Sequence, residues 1–251
     1  MNKPKTKKDF SWLASGPVAH RGLFTAGTEA EENTLEAIAA AADAGYAIEI
    51  DVRLTLDNQV VVIHDARLER MTNGTGYVSE YTLEKLQALK IGKTNQHIPL
   101  LTDVLDIVAE RVPLYIEIKC PQAIAPGQIC AGVRFALEGY HGQVAIMSFN
   151  PKVPTWFRHF SKQYARGVIL DFHGLSTFFK RFFTHRGIKA SDPHFLAVDI
   201  QSLPNPLAKK WRESGKPIVT WTVKSPTQES IGGVHADALL FEMPAVVGDQ
   251  E

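Results

Sequence analysis

The chain has 251 residues, 45% hydrophobic and 22% charged, and its 27 basic and 27 acidic side chains cancel to a formal net charge of zero. That composition excludes a disordered or fibrous chain, and it lacks the basic excess that binding a phosphate backbone requires, so no nucleic-acid partner is expected. No apolar run approaches the roughly 18 residues that span a bilayer.

The first stretch, MNKPKTKKDFSW, carries lysines without an apolar segment behind them, so no export signal is expected and a cytoplasmic location is the default. Cys120 and Cys130 are too sparse for a disulfide framework and lack metal spacing. No feature of the sequence sets an oligomeric state.

Short β-branched runs alternate with helical patterns along nearly the whole length, which predicts a parallel sheet. The predicted strands, in chain order, are Val18 to His20, Ala47 to Val52, Leu114 to Lys119, Val144 to Phe149, Gly167 to Asp171, Leu196 to Ile200, Ile218 to Val223 and Ala238 to Phe241. Thr34 to Ala44, Leu101 to Ala109, Ile129 to Leu137 and Pro206 to Glu213 read as crossover helices. Eight strand–helix units in a chain of this length predict an α/β fold, a (β/α)8 TIM barrel, with residues 1–251 forming one domain.

A ninth apolar run, Val60 to His64, follows the second strand too closely for a parallel crossover and must return antiparallel. With Asp57-Asn58 as a two-residue turn, counting back from the turn sets Asp51 opposite His64. Residues 65–100, containing Asn73-Gly74 and the helical Leu83 to Leu89, exceed a normal barrel loop. They are expected to form a small insertion after the second strand, a lid over the barrel mouth.

Glu49 and Asp51 stand two residues apart on one strand and share a face, and Glu117 and Lys119 repeat that spacing on the next barrel strand. Three carboxylates in one barrel interior are unfavourable unless cations compensate. An all-oxygen set suits one divalent cation, Mg²⁺ or Ca²⁺, better than zinc. A buried ion-pair network with Lys119 is the competing structural reading. His20-Arg21-Gly22 ends the first strand, where barrel active sites lie, and its imidazole and guanidinium suit a phosphate. His20 and His64 together supply two groups that titrate near neutrality, one for each direction of proton transfer.

His20-Arg21-Gly22, Glu32-Asn33-Thr34, Glu49-Ile50-Asp51-Val52, Val61 to Asp65, Glu117-Ile118-Lys119 and Trp221-Thr222-Val223 together resemble the glycerophosphodiester phosphodiesterase family, in order along almost the full chain. The resemblance implies that Glu49, Asp51 and Glu117 are metal ligands, His20 and His64 the catalytic acid/base pair, and Arg21 and Lys119 the phosphate contacts. It implies a small glycerophosphodiester substrate, hydrolysed to an alcohol and sn-glycerol 3-phosphate through attack by the substrate's own 2-hydroxyl. Four features depart from the family's usual pattern: nine residues separate Gly22 from Glu32, more than is common, Glu31 stands where proline is usual, Lys224 follows Trp-Thr-Val where asparagine is usual, and Phe241-Glu242-Met243-Pro244 replaces Thr-Asp-x-Pro.

Glu32 is a candidate for the substrate shell, although Asn33 as N-cap with Glu36 three residues on also reads as a capping box. Trp221 either lines the substrate pocket or fills the barrel. Asp65 is expected to orient a neighbour or a turn. Phe172 to Phe183 pairs aromatic with basic residues, a pattern that suits peripheral membrane contact or packing on the barrel. The alternatives to the main reading are a lipid-acting phosphodiesterase of the same superfamily and a non-catalytic phosphate-binding barrel. The second of these would have been favoured by loss of a metal acid or a histidine.

Overall fold

The computed structural model describes residues 9–172 and 186–242. Nine strands form one sheet: β1 (Val18–His20), β2 (Ala47–Leu54), β3 (Val60–Val62), β4 (Leu114–Ile118), β5 (Val144–Ser148), β6 (Ala165–Leu170), β7 (Phe195–Asp199), β8 (Ile218–Val223) and β9 (Ala238–Phe241). All but β3 are parallel. Because β1 pairs with both β2 and β9, the eight parallel strands close into a TIM barrel.

The helices with both ends among the described residues are α1 (Leu35–Asp43), α2 (Leu83–Gln87), α3 (Leu101–Val108), α4 (Gly127–Ala136), α5 (Lys152–Phe160), α6 (Pro206–Glu213) and α7 (Pro226–His235). Of these, α1 shows how the sequence sets the boundaries. Its start is capped by Thr34, whose hydroxyl accepts from the Ala37 amide, and not by Asn33 as the sequence pattern suggested. At its other end Gly45 takes φ +77°, and the Tyr46 amide donates to the Ala41 carbonyl, closing the last turn. Between them Ala37, Ile38, Ala41 and Ala42 form the buried face.

Alternation along the strands divides the core. Outward-facing residues such as Ile48, Ile50, Ile116 and Ile146 pack under the helices, while Tyr115, Phe195, Met147 and Ile169 fill the lower barrel interior. Gly167 lies under the Phe195 ring, which a β-carbon there would meet at 2.3 Å. The short 3₁₀ helix Ser11–Ala14 plugs the N-terminal end of the barrel, with Leu13 buried and its carbonyl accepting from the Tyr115 hydroxyl.

The antiparallel return of β3 is present, but its register is one residue from the expected one. Val52 pairs with Val62, and the Ile63 amide donates to the Asp51 carbonyl, so Asp51 faces Ile63 and not His64. The cause is the turn. Asn58 adopts φ +62° and the Thr55 amide donates to the Gln59 carbonyl, which makes the connection three residues long.

Residues 65–100 carry α2, the 3₁₀ helix Val78–Glu80 and three isolated bridges. Leu68, Met71, Val78, Leu86, Ile91 and Ile98 bury one another against Val61 and Ile63 at the edge strand. The aromatic segment 172–183 lies outside the described residues apart from Phe172. Among the described residues, no helix is long and apolar enough to cross a membrane.

Candidate active site

The parallel register stacks the acids. His20 pairs with Glu49 across β1 and β2, and Asp51 with Glu117 across β2 and β4, so four polar side chains converge at the C-terminal end of neighbouring strands. One oxygen from each of Glu49, Asp51 and Glu117 lies within 4.8 Å of the others, and all three residues are buried. Glu49 Oε1 has no hydrogen-bond donor among the described residues. Asp51 Oδ1 has none in line, although Lys119 Nζ stands 2.8 Å away. Buried acceptors left open and converging from two neighbouring strands fit a hard cation.

Two side-chain cations offset this charge. Lys119 Nζ also lies 2.7 Å from Glu117 Oε1, and Arg21 Nε lies 3.2 Å from Asp51 Oδ2. Three carboxylates against two cations leave one charge uncompensated, and the acids respond differently. Burial and the neighbouring Asp51 push Glu49 well above the usual carboxylate range. Burial also pushes Glu117 up to about 7, against the pull of Lys119. For Asp51 the desolvation is outweighed by Lys119 and Arg21, which hold it well below its ordinary value.

Arg21 sits at φ +63°, followed by Gly22 at φ +85°, where a β-carbon would come within 2.7 Å of the Ala37 backbone. This sharp turn directs the guanidinium back over the barrel. Its Nη1 donates to Glu32 Oε1 at 3.0 Å, which places Glu32 in the surrounding shell and not at the acids themselves.

Each histidine is anchored through Nδ1 by a carboxylate. His20 Nδ1 stands 2.7 Å from Glu242 Oε1, and His64 Nδ1 stands 2.7 Å from Asp65 Oδ1. His20 Nε2 then faces the acid cluster, 3.7 Å from Glu49 Oε2. Burial lowers the pKa of both rings, opposed by Glu242 at His20 and by Asp51 at His64. His64 sits in a bend beyond β3, with its carbonyl held by Arg53 Nε and Nη2. The bend, and not strand register, brings it to Asp51.

Three partners were not legible in the sequence. Asn33, read as a helix cap, instead donates from Nδ2 to Asp51 Oδ2. Arg70, from the insertion, donates through both Nη atoms to Glu32 and through Nε to Asp65, tying 65–100 to the first loop. Glu242 holds His20, and its second oxygen meets Lys224 Nζ at 2.6 Å. Two of the departures from the family pattern, at Lys224 and Glu242, thus form one ion pair. A spacing-based signal existed only for Asp65, adjacent to His64. Trp221 is half-buried, packs edge-on to Phe149 with centroids 5.5 Å apart, and its buried Nε1 has no partner among the described residues.

The profile of the Glycerophosphoryl diester phosphodiesterase family matches residues 20–245. A glycerophosphodiester phosphodiesterase of Caldanaerobacter subterraneus is 36% identical over 142 residues, covering 53% of this chain and 57% of that protein. Glycerophosphodiester phosphodiesterase 1 of Bos taurus is 26% identical over 251 residues, covering 87% of this chain and 74% of that protein. The chain spans about half the length of the first bacterial relatives it matches, 44% to 57%. Among solved structures, an Oleispira antarctica phosphodiesterase in complex with the product sn-glycerol-3-phosphate superposes with TM-score 0.77 at 21% identity, covering 90% of this chain and 92% of that one.

Proposed function

This chain belongs to the glycerophosphoryl diester phosphodiesterase family, and on that premise we propose that it hydrolyses water-soluble glycerophosphodiesters to an alcohol and sn-glycerol 3-phosphate. The observation that carries this reading is the pair of imidazoles, each fixed at Nδ1 by a carboxylate at 2.7 Å, together with three buried acids that converge at the same barrel end. Nδ1 anchoring sets the tautomer and leaves Nε2 for proton transfer.

Glu49, Asp51 and Glu117 would hold one divalent cation, Mg²⁺ or Ca²⁺, which when bound supplies polarisation of the phosphoryl group. Arg21 and Lys119 bind phosphate oxygens, and the developing negative charge strengthens both contacts. One histidine removes the proton from the glycerol 2-hydroxyl as it attacks phosphorus, and the other protonates the departing alcohol. The resulting cyclic phosphate is opened by water with the two roles exchanged. The half-buried Trp221 ring, packed on Phe149, would line the substrate pocket. Residues 1–251 act as one domain, with 65–100 as a lid over the barrel mouth, in the cytoplasm.

The test is turnover of glycerophosphocholine, glycerophosphoethanolamine, glycerophosphoglycerol and a lysolipid, each with Mg²⁺, with Ca²⁺ and with chelator. Turnover of at least one water-soluble diester that chelator abolishes is expected. Chelator-resistant turnover would remove the metal, and activity confined to the lysolipid would replace the substrate class.

A further inference from the structure

The barrel end opposite the acids carries a second polar constellation that this reaction does not use. A cleft of about 1510 Å³ opens there beside the N-terminal 3₁₀ helix and the starts of β6 to β9. Arg166 and His194 form its floor. Arg166 is only 5% exposed, and its Nη1 and Nη2 reach the Tyr164 and Asp192 carbonyls at 3.5 and 3.3 Å, the long limit for hydrogen bonds. Among the described residues its Nε has no hydrogen-bond partner, and no carboxylate forms an ion pair with it. Asp192 offsets its charge through space without a side-chain bond.

His194 sharpens the deficit. The Arg166 backbone N–H donates to His194 Nδ1 at 3.0 Å, so in the neutral ring the proton sits on Nε2. Burial and the Arg166 charge lower the pKa of that ring to about 4, which keeps it neutral at pH 7. Yet Nε2 lies 3.4 Å from Arg166 Nη2. Two donors therefore face each other, with the Arg166 Nε–H beside them, and none of the three has a good acceptor. A buried cation in this state is costly unless an anion completes it.

At the rim stand Arg158, Lys162 and Lys216. The acids that line the cleft are mostly engaged. Asp237 is bound by Arg212 at 3.0 Å and by the Ile218 amide at 2.8 Å, Glu213 meets Lys209 at 4.0 Å, and Asp9 accepts from the Ser11 amide at 2.9 Å.

We propose that this cleft is an anion site of the phosphate class, with Arg166 and His194 binding the anion at the floor and Arg158, Lys162 and Lys216 at the rim. A tetrahedral dianion presents several acceptor oxygens to donors that diverge from one another, and its double charge matches the clustered cations. Free phosphate and an organic phosphomonoester share this chemistry.

Histidine side-chain ¹⁵N NMR of the intact protein separates this site from the active site, because His194 reports one and His20 and His64 the other. Titration with inorganic phosphate and with glucose 6-phosphate should move the His194 Nε2–H resonance saturably. The tighter of the two identifies the natural class. Arg166→Gln should weaken that titration by about tenfold or more. The rim double variant Arg158→Gln/Lys162→Gln, which leaves the floor intact, should weaken it severalfold while turnover stays at the wild-type value. A His194 resonance unmoved by millimolar levels of either ligand, or wild-type titrations in the rim variant and in a folded Arg166→Gln protein, would overturn the site.

Discussion

Asn33 and Asp51 grip each other twice: Asn33 Nδ2 donates to Asp51 Oδ2 at 3.0 Å, and the Asp51 amide donates to Asn33 Oδ1 at 3.3 Å. Asn33 stands at φ +61°, a conformation that asparagine and aspartate tolerate better than other side chains. The clamp orients one of the three converging carboxylates from outside their circle. Asn33→Asp keeps the backbone preference but turns the donor into an acceptor beside a buried acid. Divalent-cation affinity should fall by roughly 10- to 100-fold, as expected when an outer partner of a ligand is lost. Calorimetric titration with Mg²⁺ and Ca²⁺ measures it, and wild-type affinity would show that Asp51 needs no orientation.

Glu242 is expected to act through His20, since its carboxylate fixes Nδ1 while Lys224 fixes the carboxylate. His20→Ala and His64→Ala should each lower kcat by roughly 100-fold or more, the range for a lost general acid or base. Glu242→Gln should lower kcat by about tenfold with little change in KM, because the ring still reaches the site but is oriented less well. Glu242→Asp should recover part of the loss. A KM increase at constant kcat would assign Glu242 to substrate binding instead.

What could be read from the sequence was what strand periodicity fixes. Glu49 and Asp51 must share a face at spacing two, and Glu117 and Lys119 likewise, so the acids could be placed before any coordinates. All eight barrel strands were found for the same reason. Conformations that depend on a single residue were not. Asn58 in the left-handed region lengthens the hairpin by one residue and shifts the β3 register. Asn33 and Thr34 are both good caps, and only tertiary packing decides that Thr34 caps while Asn33 turns to Asp51. The pairings of Arg70 with Glu32, 38 residues apart, and of His20 with Glu242, 222 apart, carry no local signal at all.

The raised Glu117 pKa makes a pH-dependent statement about the metal-free protein. Burial, its first cause, favours the protonated folded form up to about pH 7, whereas in the unfolded chain the group ionises near its ordinary value of 4.5. Between those values the folded state binds more protons, so this group's contribution to stability falls as pH rises from about 4.5 to 7 and is level above. His20 and His64, with lowered values, push the other way below pH 6.5, so the whole-protein curve mixes the two signs. The comparison of Glu117→Gln with wild type in chelator isolates the carboxyl. The variant should gain on wild type as pH rises from 5 to 8, by about 3 kcal/mol at most. A melting-temperature difference that is flat with pH would mean that Lys119 alone keeps Glu117 ionised.

The order of chemical steps has its own test. If the glycerol 2-hydroxyl is the nucleophile, its proximity to phosphorus supplies an advantage that a positioned water would have to match. A 2-deoxy substrate retains the phosphate, so Arg21, Lys119 and the cation still hold it, and the loss should fall on kcat far more than on binding. The same sequence of steps requires a five-membered cyclic phosphate. Phosphorus NMR should catch it when His20 or His64 is replaced, because its opening needs the histidines in exchanged roles. Full turnover of the deoxy substrate with no cyclic species would indicate direct attack by water. The acids and histidines would then keep their places, but the histidine that takes the first proton would take it from water and not from the substrate.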